Sequence, residues 1–196
     1  MTKFIPHEYQ QIAIEKIIEN KAYGLFLDMG LGKTVSTLTA IDELMNDYCE
    51  ISKVLVIAPK RVAEDTWSRE VDKWEHLRHL RISKVLGSAA HRKKALQKQA
   101  DIYVINRENV EWLVNELGRK WDFDMIVIDE SSSFKNPSSK RFKALRKVRP
   151  LSERVILLTG TPAPNNLIDL NNFRRFSNEF DFLFLQLHFE FEDKRE

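Results

Sequence analysis

Two groups of residues in this 196-residue chain have types and spacing suited to binding a nucleoside triphosphate. The first is Asp28-Met29-Gly30-Leu31-Gly32-Lys33-Thr34, which follows the apolar run Leu25-Phe26-Leu27 and precedes a helical pattern. A strand that ends in glycines and continues into Lys-Thr builds a loop whose N–H groups, helix N-terminus and lysine converge on one anion. The general pattern places a first glycine where this chain has Leu27, so the match is partial.

The second group is Ile126-Val127-Ile128-Asp129-Glu130, an apolar strand that ends in two adjacent carboxylates. Together the groups predict an ATPase core that uses Mg²⁺. In it, Lys33 binds the β- and γ-phosphates and Thr34 is a metal ligand. Asp129 holds Mg²⁺ through water, and Glu130 orients and deprotonates the attacking water. The alternative interpretation of the first group is an ordinary glycine turn, and that of the second group is a solvated acidic pair. The apolar residues before the pair argue against a solvated pair.

The elements that must position these residues follow from the alternation of short apolar runs with segments of helical period. The predicted strands are residues 24–27, 53–58, 81–86, 102–105, 125–128 and 155–159. The predicted helices are residues 7–19, 33–47, 62–74, 89–99, 107–118 and 140–147. The predicted fold class is therefore α/β, a three-layer sandwich around a mostly parallel sheet. Its strand ends bring the two groups and residues 159–162 to one edge.

Composition limits the classes of function. An apolar content of 43% suits one globular domain. The net charge of +2, from 31 basic and 29 acidic residues, gives no overall signature of nucleic-acid binding, so any such surface is local. The single cysteine excludes an internal disulfide. The sequence has no long apolar run and no apolar leader, so we expect an intracellular protein without a membrane partner.

The segment 171–196 differs from the rest because it holds seven of the twelve phenylalanines. One interpretation is a strand or helix that covers an exposed edge or face of the core. The other is an interface through which the chain forms a homo-oligomer or docks on a partner protein.

The motifs between Pro6 and Asn165 resemble, in order, the N-terminal RecA-like domain of superfamily two helicases. The resemblance is nearest to Swi/Snf-type DNA translocases and their phage-type relatives. Pro6-His7-Glu8-Tyr9-Gln10 looks like the family's glutamine motif, which makes Gln10 the residue that reads adenine, with Gln11 as the alternative. The family's phosphate loop also lacks the first glycine, which accounts for Leu27.

Two further stretches carry the resemblance. Ile57-Ala58-Pro59-Lys60, with Trp67, Glu70 and Trp74 downstream, resembles motif Ia, and Leu158-Thr159-Gly160-Thr161-Pro162 resembles motif III. The first implies that the nucleic-acid backbone binds at Pro59, Lys60 and Arg61. The second implies that nucleotide state is coupled to the DNA-binding surface through Thr159, Gly160 and Thr161.

The chain departs from the family after Glu130. Ser131-Ser132 stands where many relatives have Ala-His, while Phe134-Lys135-Asn136 agrees with their downstream Lys-Asn. The histidine that couples the nucleotide site to the second domain in those relatives is therefore replaced by Ser132.

Other charged and aromatic residues have simpler interpretations. The basic runs 92–94 and 140–149 would add phosphate contacts, but we favour solvated helix faces because exposed helix positions ordinarily carry charge. Trp67 and Trp74 lie seven residues apart and are predicted to belong to the core.

The predicted function is an ATP- and Mg²⁺-dependent hydrolase that moves along duplex DNA without reading its sequence. We expect residues 1–170 to be the first of the family's two RecA-like domains, residues 171–196 to be a tail, and the second domain to be absent. Without its arginine fingers, hydrolysis by this chain alone should be feeble. The expected location is the cytoplasm of a bacterium or phage-infected host cell. The alternative is a truncated binding module that holds nucleotide or DNA or docks through its tail.

Overall fold

The computed structural model describes residues 2–130, 138–160 and 183–186. Their strands are β1 (Ala22–Phe26), β2 (Val54–Ala58), β3 (Ile82–Val85), β4 (Ile102–Asn106), β5 (Met125–Asp129), β6 (Arg154–Thr159) and β7 (Leu183–Gln186). They form one sheet in the order β3-β4-β2-β5-β6-β1-β7, and every neighbouring pair is parallel. All six predicted strands are confirmed, and the Phe-rich segment adds β7 at the edge beside β1.

The helices in the described part of the chain are α1 (Glu8–Glu19), α2 (Lys33–Asn46), α3 (Trp67–Lys73), α4 (Ala89–Leu96), α5 (Val110–Leu117) and α6 (Lys140–Val148). A π-helical turn, Val62–Thr66, leads directly into α3. All six predicted helices are confirmed, with two differences at their ends. The fourth ends at Leu96, and the fifth is preceded by a 3₁₀ turn over Arg107–Asn109. None of the described helices is long and apolar enough to cross a membrane.

Two apolar clusters lie on opposite faces of the sheet and confirm the three-layer sandwich. The first cluster includes Tyr23, Val56 and Leu158 from the strands and packs against α1, α2 and α3. The second includes Leu55 and Leu157 and packs against α4, α5 and α6. Successive strand residues alternate between the clusters, so both faces are covered. This explains why the strands read as continuous apolar runs.

The strand register brings three strand ends to the same level. Phe26 at the end of β1 lies opposite Thr159 of β6, and Asp129 at the end of β5 lies opposite Leu158. The residues that follow β1, β6 and β5 therefore share one stretch of the sheet edge.

A buried arginine ties α1 to the sheet. The Arg154 side chain is only 5% exposed and donates to the carbonyl oxygens of Ile17, Ile18 and Asn20 at 3.3, 2.9 and 3.2 Å. It also pairs with the carboxylate of Glu50. The last carbonyl groups of a helix have no partner within the helix, so the guanidinium caps α1 from the start of β6.

We predict that Arg154→Leu lowers the free energy of unfolding by about 3 kcal/mol, because it leaves buried carbonyls without donors and a carboxylate without its partner. Urea denaturation followed by circular dichroism measures the loss. The control is Arg69→Leu, which removes an exposed ion pair with Asp65 at 3.2 Å and should cost less than about 0.5 kcal/mol. Equal losses in the two variants would contradict the capping role.

Candidate active site

The loop between β1 and α2 has a backbone shape suited to an anion. Gly30 and Gly32 have φ values of +87° and +79°, in the left-handed region that favours glycine. Gly32 is the N-cap of α2, and because glycine has no side chain, it accepts no capping hydrogen bond from the first turn of this helix. The N–H groups of that turn, which includes Thr34, are therefore available to a ligand at the positive end of the helix dipole.

The Lys33 ammonium lies within this loop. It donates to the carbonyl oxygens of Leu27 at 2.7 Å and Asp28 at 3.0 Å. Because an ammonium has three N–H groups and these are its two acceptors among the described residues, one N–H remains for an oxygen of a ligand. Burial lowers the pKa of Lys33, while the carboxylates of Asp129, Glu130 and Asp28 oppose this shift by favouring the charged form.

The predicted acidic pair lies across β6 from this loop. Asp129 is 8% exposed, and one of its carboxylate oxygens accepts a hydrogen bond from the indole N–H of Trp67 at 3.0 Å. Burial raises the pKa of Asp129 and Glu130 adds to the shift, whereas Trp67 and Lys33 oppose it. Glu130 is partly buried and has a φ of +55°, a strained backbone conformation for a residue with a side chain. The structure therefore brings Lys33 and the two carboxylates into one electrostatic cluster.

The Gln10 side chain links the loop to the start of α1. Its side-chain oxygen accepts from the His7 N–H at 3.0 Å, and its amide nitrogen donates to the Leu31 carbonyl at 3.2 Å. A Cβ atom built on Gly32 would lie 2.3 Å from that nitrogen, so the absence of a side chain there makes room for the amide. The alternative residue, Gln11, is exposed and bonds Glu15 along the surface of α1.

The end of β6 and the glycine that follows it lie beside the same loop. Thr159 is buried, and its hydroxyl has no hydrogen-bond partner among the residues that the structure describes. A Cβ built on Gly160 would lie 3.2 Å from Cγ of Met29 and 3.4 Å from Nζ of Lys33, so a side chain here would press on the loop. The third residue of this predicted coupling group, Thr161, lies outside the described residues. So do Pro162, Ser131, Ser132 and residues 134–136.

An open cleft of about 470 Å³ joins the loop to the N-terminal segment and the end of α3. Phe4 and Trp74 line it with their rings edge to face, 5.2 Å apart, and Gln10 lies in its wall. The prediction that both tryptophans belong to the core is correct for Trp67, which is 1% exposed. Trp74, which follows α3 beside the cleft, is partly buried and packs against the first apolar cluster, and its indole donates to Glu70 at 2.6 Å.

The residues predicted to bind nucleic acid lie at the same sheet edge. Pro59 follows β2, the neighbour of β5, and Lys60 and Arg61 are exposed. Lys60 lies 3.9 Å from Glu64.

The basic run 92–94 lies in the helical layer on the other face of the sheet. Arg92 stacks 4.1 Å from the ring of Trp112, and Lys93 pairs with Glu116 at 2.9 Å on the face formed by α4 to α6. These contacts are those of an ordinary helix surface.

Sequence reasoning missed the hydrogen bond between Trp67 and Asp129. The only available signal was the spacing Trp-x-x-Glu-x-x-x-Trp downstream of β2, which does not indicate what the first indole contacts. The partners are 62 residues apart, so the fold alone brings them together.

Comparisons with known proteins bear on the family and the fold of the chain. The family model described as the SNF2-related domain matches residues 9–186. The chain is 40% identical over 176 residues to putative protein p41 of Acyrthosiphon pisum secondary endosymbiont phage 1, covering 87% of this chain and 38% of p41. It is 35% identical over 162 residues to the chromatin remodeling factor mit1 of Schizosaccharomyces pombe, covering 77% of this chain and 11% of mit1.

Among solved structures, the chain is similar to the Sulfolobus solfataricus SWI2/SNF2 ATPase core in complex with dsDNA. The TM-score is 0.73 at 31% identity, and the match covers 89% of this chain and 36% of that one. The chain thus spans less than two fifths of each of these relatives.

We predict that Gly32→Ala lowers the free energy of unfolding by about 1 kcal/mol more than Gly30→Ala, because it displaces the Gln10 amide from its two hydrogen bonds. Both glycines have left-handed backbones, but a Cβ on Gly30 would meet nothing within 4 Å, so this variant isolates the backbone strain. Urea denaturation measures the free energy of unfolding of both variants. If Gln10→Ala is fully additive with Gly32→Ala, the proposed clash is wrong.

Proposed function

Because the chain belongs to the SNF2-related family and has the fold of the N-terminal RecA-like domain of Swi/Snf-type ATPases, we propose that it is the ATP-binding part of a DNA translocase. In this proposal, hydrolysis of Mg²⁺-bound ATP drives movement along duplex DNA, and the protein binds the DNA backbone without reading its sequence.

The observation that carries the proposal is the meeting of three neighbouring strand ends around Lys33. The ammonium lies in the loop after β1, and the carboxylates of Asp129 and Glu130 after β5 act on its pKa. A Cβ built on Gly160, after β6, would lie 3.4 Å from the same ammonium. A cation next to two carboxylates suits a ligand that itself carries both charges, and a triphosphate with Mg²⁺ is such a ligand.

The residues present fit this ligand. The free N–H groups at the start of α2 and the third N–H of Lys33 would bind phosphate oxygens. The Thr34 hydroxyl and the Asp129 carboxylate would hold Mg²⁺, and Glu130 would orient and deprotonate the attacking water. When bound, Mg²⁺-ATP supplies the phosphoryl group to be transferred and a metal charge that stabilises the oxygens around it.

Gln10 has the bonding capacity to read adenine. Its side chain makes one hydrogen bond through the oxygen and one through the nitrogen, so one acceptor site and one N–H remain. Adenine offers the complementary pair, an N6 donor and an N7 acceptor. The aromatic wall formed by Phe4 and Trp74 gives the base an apolar surface in the same cleft.

DNA is the proposed partner because the similar archaeal ATPase core was solved in complex with dsDNA. Pro59, Lys60 and Arg61 would contact the phosphate backbone, since backbone contacts from basic side chains and N–H groups are independent of sequence. A second RecA-like domain or a partner protein would supply the arginine finger and the rest of the DNA track. The phage relative favours the cytoplasm of a bacterium or phage-infected cell as the place of action.

We predict that Lys33→Ala weakens binding of a fluorescent ATP analogue at least about tenfold, because a charge-assisted hydrogen bond is lost. Glu130→Gln should bind the analogue as the parent chain does but hydrolyse ATP about a hundredfold more slowly or worse, because it removes the general base.

Titration with the analogue and phosphate release, both with and without duplex DNA, measure the two effects. Circular dichroism confirms that each variant is folded. Unchanged binding by Lys33→Ala would refute the assigned loop, and parental hydrolysis by Glu130→Gln would refute only the role of Glu130.

A further inference from the structure

We propose that Trp67 is a positioning residue of the metal site, whose indole N–H holds one carboxylate oxygen of Asp129 and thereby fixes the orientation of that carboxylate. The inference rests on the proposed function, which assigns Asp129 to Mg²⁺.

The contact is short, buried and between side chains. Nε1 of Trp67 lies 3.0 Å from Oδ2 of Asp129, and the two residues are 1% and 8% exposed. A hydrogen bond to a carboxylate is stronger than one between neutral groups, and competition from water is small at this depth. Trp67 therefore restrains rotation of the Asp129 carboxylate at the end of β5.

The indole is itself held rigidly. Trp67 belongs to the first apolar cluster, where α1 to α3 pack on the sheet. It is the first residue of α3 and directly follows the π-helical turn Val62–Thr66. From β3, the Lys84 ammonium donates to the carbonyl of Glu64 in that turn at 2.6 Å. Single π-helical turns are rare and frequently occur at functional sites.

A simpler explanation is that Asp129 merely satisfies a buried indole N–H, which needs some acceptor. The two explanations predict different effects on Mg²⁺ binding when the indole N–H is removed. Groups that orient a metal ligand usually change metal affinity or activity by about 10–100-fold when they are removed. A bond that serves only packing changes stability and leaves the metal dependence of ligand binding as it was.

The test compares Trp67→Phe with the matched control Trp121→Phe. Trp121 is also buried, at 7% exposed, and its indole donates to Ser152 at 2.9 Å on the opposite face of the sheet. Both variants lose one indole N–H and similar volume. The measurement is the Mg²⁺ concentration that half-saturates binding of a fluorescent ATP analogue, together with the affinity of that analogue in EDTA.

We expect Trp67→Phe to raise the Mg²⁺ midpoint about tenfold or more, with unchanged affinity in EDTA and no change of either quantity in Trp121→Phe. In an Asp129→Asn background, Trp67→Phe should add no further shift, because it acts through Asp129. If Trp67→Phe does not fold, benzothienylalanine at position 67 keeps the ring size and replaces the N–H by sulfur.

An Mg²⁺ midpoint equal to that of Trp121→Phe would overturn the role of Trp67 and leave the proposed function standing. Absence of Mg²⁺-dependent nucleotide binding in the parent chain would overturn both.

Discussion

The parallel alignment of β1, β6 and β5 is the constraint on which the candidate site depends. Their register sets Phe26 opposite Thr159 and Asp129 opposite Leu158, so a loop, an acidic pair and a glycine reach the same stretch of the sheet edge. Side chains alternate between faces along a strand, so a slip of one residue would exchange the two apolar clusters of the core. The packing that stabilises the fold therefore also fixes the relative positions of Lys33 and Asp129.

At this edge of the sheet, burial and neighbouring charges have opposite effects on the pKa values of Lys33 and Asp129. Burial shifts the pKa of Lys33 down and that of Asp129 up, each toward the neutral form, while the charge of each group opposes the shift of the other. Neighbouring titratable groups whose pKa values are shifted by burial and by each other are typical of functional sites. A ligand carrying both phosphate and metal charge would give each side chain a new partner of opposite sign. The arrangement thus fits the metal-bound triphosphate that we propose.

Sequence reasoning succeeded where the signal is local. Apolar runs buried on both faces identified six strands, and the glycines and carboxylates that follow two of them identified the loop and the acidic pair. It failed where the partner is distant in the chain. Arg154 is a charged residue at a strand start, and only the folded structure shows that it caps α1. Likewise, Trp67 was predicted to belong to the core, which is correct, but an apolar period says nothing about the acceptor of its N–H.

The strand order also has a consequence for the order of events during synthesis. Among the strands that the structure describes, β1 is the first to leave the ribosome, yet its neighbours β6 and β7 are the last two. The loop that follows β1 cannot be held in place until residues 154–159 have emerged and paired with it. Pairing between strands that are far apart in the chain is slow, and the unpaired apolar strands are exposed until it occurs. The loop after β1 therefore reaches its final position only after β6 has been synthesised, although it precedes β6 in the chain.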